Sequence, residues 1–119
     1  IAGYVLPESI TDNYQLVDEG GDQYSSWATF TSVHGSTVYF DVSAGEHSAI
    51  DINTEDAFLY ENISTNRYNC IVAQQNNGVI TAGVADSHKL NLILITFENV
   101  DYDLALSIIN NFINVNQGE

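Results

Sequence analysis

An α+β fold, an antiparallel meander of about seven strands with a C-terminal helix packed on one face, is predicted by three features of this 119-residue chain. Residues 89–97 read Lys-Leu-Asn-Leu-Ile-Leu-Ile-Thr-Phe, with Leu90, Leu92 and Leu94 alternating against Ile93, Ile95 and Phe97. A strand apolar on both faces is a central one, covered on both sides. After Phe97 the period changes, and Leu104, Ala105, Ile108, Ile109 and Phe112 form one stripe on a helix of about 3.6 residues per turn. Upstream lies a succession of short β-rich runs separated by Gly, Asn and Asp turns.

Taken in order, residues 1–7 end in Leu6-Pro7, extended because the residue before proline avoids the helical region. Residues 8–13 are a connection or one helical turn. The first strand covers 14–18 and closes in the glycine turn Glu19-Gly20-Gly21-Asp22. The second, 24–33, carries Trp27 and Phe30, and His34-Gly35-Ser36 turns it into a third over 37–43. There Val38, Phe40 and Val42 face one way, Tyr39 and Asp41 the other. Residues 45–53 have no clear period and read as an irregular excursion. The fourth strand covers 57–64, and Thr65-Asn66-Arg67 leads into the fifth, 68–74. Asn76-Asn77-Gly78 is the strongest hairpin signal, because Asn-Gly suits the positive φ angles of a type I′ turn. The sixth strand covers 79–85, and the loop Asp86-Ser87-His88 leads to the central strand. Asp101 is the expected N-cap, its carboxylate accepting from free N–H groups of the first turn, with Asp103 adding charge at the positive end of the dipole. The helix runs to about Ile113, ~18 Å at ~1.5 Å per residue. The second sheet face is left to water, to the N-terminal segment or to a partner.

Length predicts a single domain over residues 1–119, burying roughly 65% of its unfolded surface without disulfides or metal. The one cysteine, Cys70, falls in an apolar run and reads as a small buried hydrophobe. Sixteen acidic residues against Arg67 and Lys89 give a net charge of −14. Nucleic acid is excluded as a partner, since no Lys/Arg cluster exists to displace counterions from phosphates. Anionic membrane surfaces repel such a chain, and no apolar run reaches the ~18 residues of a membrane span. The chain starts at Ile1 and contains no Met, so it reads as a processed protein or a piece of a longer precursor. Scarce Lys and Arg with abundant Tyr, Ser, Thr and Asn point to an extracytoplasmic, secreted or surface-anchored location.

Leu6-Pro7, Ile52-Asn53-Thr54-Glu55-Asp56, the Asn77-Gly78 hairpin and Val100-Asp101-Tyr102-Asp103-Leu104 opening a helix after a hydrophobic strand look similar to features of one family. In these the chain resembles an uncharacterised extracytoplasmic domain of Gram-positive bacterial lipoproteins and anti-sigma-factor-like membrane proteins. The chain departs from that family by Asp101 where Ser is usual at the cap and by Tyr68-Asn69-Cys70 where a glycine is common. The resemblance covers most of the chain and implies a sensing or interaction role outside the membrane, in a family without established catalytic residues.

Candidate chemistry is sparse. Asp51, Asn53 and Glu55 have the spacing of a calcium loop's first ligands, but Asp56 stands where such a loop needs glycine and Asn62 where it needs a bidentate Glu. His34, His47 and His88 are scattered, without zinc spacing. Ser25, Ser26 and Ser87 lack a Gly-x-Ser-x-Gly elbow. Asn62-Ile63-Ser64 matches a glycosylation acceptor, within a strand. Trp27 with Tyr24, Tyr39 and Tyr60 form an aromatic binding face if the strands bring them together, against the favoured reading that buries Trp27 in the core. No cofactor is implied. The expectation is a noncatalytic binding or sensory module for a protein or small molecule, with a ligand carrier or enzyme holding a pocket between helix and sheet as the alternative.

Overall fold

The computed structural model describes residues 1–44 and 55–118. In chain order they form α1 (Glu8–Thr11), β1 (Gln15–Gly21), β2 (Ser25–Thr31), β3 (Thr37–Ala44), β4 (Ala57–Ser64), β5 (Tyr68–Gln75), β6 (Ile80–Asp86), β7 (Asn91–Glu98) and α2 (Tyr102–Val115). The strands make one sheet in the order β1-β2-β3-β7-β6-β5-β4, every neighbouring pair antiparallel. It consists of two meanders, β1 to β3 and β4 to β7, joined where β3 pairs with β7 from Thr37↔Glu98 to Ala44↔Asn91. The most apolar strand, β7, therefore stands in the middle, and β1 and β4 are the edges.

The helical layer lies on one face only. Ala105, Ile108, Ile109, Phe112 and Ile113 of α2 are buried against a sheet face built from Val38, Phe40, Ile93, Ile95, Phe97 and their neighbours. At roughly 1.5–3 kcal/mol for each large side chain, the four large residues of that stripe contribute on the order of 10 kcal/mol before ordering costs. Rings link the layers: Phe30 meets Phe40 edge-on at 5.9 Å, Phe40 meets Phe112 at 5.8 Å, and Phe112 meets Tyr4 at 5.8 Å. Tyr4 and Ile10 belong to this same core, so the N-terminal segment packs beside α2 and leaves the opposite sheet face uncovered by it.

Several local expectations are corrected. The Gly20-Gly21 pair belongs to β1 rather than to the turn. The reversal falls at Asp22, whose carboxylate accepts from the Tyr24 and Ser25 backbone N–H groups at 2.8 and 2.9 Å. In the β5–β6 hairpin only Gly78 has positive φ (+90°), and its N–H donates to the Gln75 carbonyl at 2.9 Å. That is a type I turn followed by a left-handed glycine rather than type I′. Leu90 lies in the turn between β6 and β7 with φ 55°, because the Asp86 carboxylate accepts from His88 and Lys89 N–H groups and winds residues 87–90. Leu92 and Leu94 are half-buried, so β7 is fully covered on one face, not two. Asp101 is the N-cap residue but its side chain makes no capping bond, and Leu104 is exposed, off the buried stripe. The expected irregular stretch 45–53 lies outside the described residues.

Candidate functional site

Strand register decides which of the four aromatic candidates meet. Trp27 pairs with Asp41 across β2–β3, and Tyr39 with Thr29, so Trp27 and Tyr39 are diagonal neighbours on the face away from the helices. Trp27 is half-buried and is not part of the core. Its indole lies over Gly20 of β1, where an added Cβ would come within 2.6 Å of the ring. The missing side chain at Gly20 is thus filled by the tryptophan, a structural use of the ring that protects a glycine on an edge strand. Around the pair stand Asp18 and Asp41. Burial and then the Asp22 charge push the Asp41 carboxyl up, and burial followed by the Asp41 and Asp18 charges pushes the Tyr39 phenol up.

Tyr60 shares a row with Tyr39 through Ala73, Thr81 and Thr96, four strand spacings away, roughly 19 Å at ~4.8 Å each. Tyr24, 71% exposed, sits in the β1–β2 turn, beside Ala2, Val42 and Asn91. The four aromatics do not form one face. Asp51 and Asn53 lie outside the described residues, Glu55 is exposed before β4, and no group of three or more metal-ligating side chains occurs among the described residues.

The strongest exposed feature is β4. Along one side it pairs with β5 from Ala57↔Gln75 to Ser64↔Asn69, and no described strand pairs with the other side. A bulge between Ala57 and Leu59 pushes out Phe58, 74% exposed, and Leu59 and Tyr60 follow at 40% and 52%. Alternation sends Leu59 to the helical side and Tyr60 to the opposite face. Glu61 follows on the strand. The Tyr102 phenol at the start of α2 is pushed up by burial and then by the Glu61 and Asp103 charges, which places the helix start beside this edge. The charges around β4 are thus carboxylates, with no basic residue on β4 or α2.

The two cations are placed elsewhere. Arg67 and Asp86 are buried together, with Nε–Oδ1 and Nη2–Oδ2 both at 2.9 Å, while Nη1 donates to the Asn116 carbonyl at 2.7 Å. The Tyr4 hydroxyl also donates to Asp86, the Tyr68 hydroxyl donates to the Asn116 carbonyl at 3.0 Å, and the Asn116 side chain holds both backbone groups of Val5. Burial pushes the Asp86 carboxyl up, but bonds from Arg67, Tyr4 and the His88 and Lys89 N–H groups outweigh it and hold it at about 2. This cluster fastens the N-terminal segment, β5, β6 and the end of α2 to one another. Sequence reasoning treated Arg67 as a turn residue and missed the cluster. The available signal was a chain with so few cations placing one directly before an apolar strand. Lys89 lies with Nζ 4.8 Å from the Tyr4 ring centre. Cys70 is buried as expected, its thiol pushed up by burial to about 12.

Comparison with known proteins found no matching family model, curated protein or solved structure.

Proposed function

We propose that this domain is a noncatalytic binding or sensory module of a bacterial cell-surface protein, working outside the membrane, and that it meets its partner at β4. The observation that carries the reading is the run Phe58-Leu59-Tyr60, large apolar side chains exposed in succession on a strand edge that no other described strand pairs with. Domains that remain alone cover or guard such an edge, since open backbone groups beside apolar side chains invite pairing. The helix–sheet interface supports binding at the surface over the carrier or enzyme alternative: Phe40, Ile95, Ile108 and Phe112 fill it and are fully buried. The extracytoplasmic setting is supported by the resemblance and by the scarcity of Lys and Arg.

A photo-crosslinking amino acid at position 58 or 60, compared with one at the exposed loop residue Val33, tests this on the bacterial cell surface. Adducts formed from 58 and 60 but not from 33 are expected. The same adducts from all three positions, or none from β4, overturn the assignment.

A further inference from the structure

We infer that β4 accepts an extended, positively charged segment of a partner protein as an added strand of the sheet, an inference that rests on reading β4 as the binding edge. Three properties of the edge specify that partner. Among the described residues its backbone is paired on one side only, from Ala57 to Ser64, and the bulge is confined to its start, so the run from Leu59 onward offers regular N–H and C=O groups. Leu59 and Tyr60 present apolar surface on the two faces, so an incoming strand meets a large side chain above and below the sheet. Glu55 and Asp56 precede the strand, Glu61 lies on it, and Asp101 and Asp103 open the helix beside it.

That charge selects the occupant. A second copy of this chain brings another net −14 and an edge with carboxylates of its own, so self-pairing is opposed, whereas a strand bearing Lys or Arg is drawn in. The other edge is less suited. β1 is bulged between Leu16 and Asp18 and ends in Gly20 and Gly21, which offer no side chain to pack an incoming strand, devices that discourage pairing.

The test uses the whole domain, isotopically labelled, titrated with a ten-residue peptide alternating lysine with valine and with its glutamate–valine counterpart. Binding of the lysine peptide should shift β4 amide resonances and slow hydrogen exchange at alternate β4 residues, the signature of strand addition. It should weaken with salt and fall about fivefold in Glu61→Lys. Equal binding of the glutamate peptide overturns the charge argument. Shifts at β4 without alternate protection overturn strand addition while leaving β4 a binding edge, and no β4 response at millimolar peptide overturns the inference. Concentration-dependent dimerisation of the domain through β4 overturns it in favour of a second copy.

Discussion

Replacing Arg67 with methionine should be among the most damaging single changes. The guanidinium supplies two 2.9 Å bonds to Asp86 and one 2.7 Å bond to Asn116, all buried, and methionine fills much of the volume while supplying none. Asp86 is then a carboxylate shut away from water without its cation, a situation that costs about 3–5 kcal/mol. At ~4 °C per kcal/mol for a domain of this size, the melting temperature should fall by ~12–20 °C at neutral pH. The loss should depend on pH in a definite direction. In the wild type the Asp86 carboxyl lies at about 2 against 3.8 for the free group, so its stabilisation is present above pH ~4 and is lost as the pH falls toward 2. The shift of nearly two units corresponds to roughly 2 kcal/mol. In Arg67→Met the same carboxyl stays buried but has lost its cation, and protonating it relieves the variant. The gap between the two proteins therefore narrows first above pH 4, where the variant's carboxyl takes up its proton, and further below pH 4, where the wild type loses the stabilisation of its pair. Urea unfolding followed by far-ultraviolet circular dichroism at pH 7, 5, 4 and 2.5 measures it, and taking the difference cancels the remaining carboxylates. A gap below about 1 kcal/mol at pH 7, or one that does not change with pH, would refute the assignment of the pair as a charged clamp.

Further outcomes follow from individual side chains. Gly20→Ala should cost about 1–3 kcal/mol and move the emission of the single tryptophan, because the new methyl lands within 2.6 Å of the Trp27 ring; an unchanged spectrum argues against that packing. Cys70 should resist a disulfide exchange reagent at pH 8 and react fully in urea, since burial holds the thiol protonated; rapid reaction of the folded protein contradicts this. Asp101→Ala should lower stability by no more than a few tenths of a kcal/mol, against the ~1 kcal/mol of a working cap, because its carboxylate bonds no N–H of the helix; chemical denaturation decides between them.

How much was legible varied with the range of the interaction. Where neighbours along the chain decide the outcome, pattern was enough. The alternation of Val38, Phe40 and Val42 and the helical stripe of Ala105, Ile108, Ile109 and Phe112 each specified its element and buried face, while the two-faced run of β7 specified a strand but not that only its Ile93, Ile95 and Phe97 face would be fully buried. Turn placement was less legible, because Asp22 and Asp86 wind their turns with side-chain bonds that outweigh the preference of a nearby Gly-Gly pair or the apolar pull of Leu90. The candidate site was legible only in part. Tyr60 was singled out from composition, but Phe58 and Leu59 gained meaning from being on an edge.

The opening meander, the central strand and the closing helix are properties the sequence determined by itself, since they rest on spacing at fixed local periods. Strand order belongs to tertiary structure alone. The pairing of β3 with β7 joins residues far apart in the chain, and it sends β4 to an edge where three apolar side chains stay in water. Only that assembly brings Tyr4, Arg67, Asp86 and Asn116 together, because each lies on a different segment and a buried ion pair needs all of them in place before it stabilises anything.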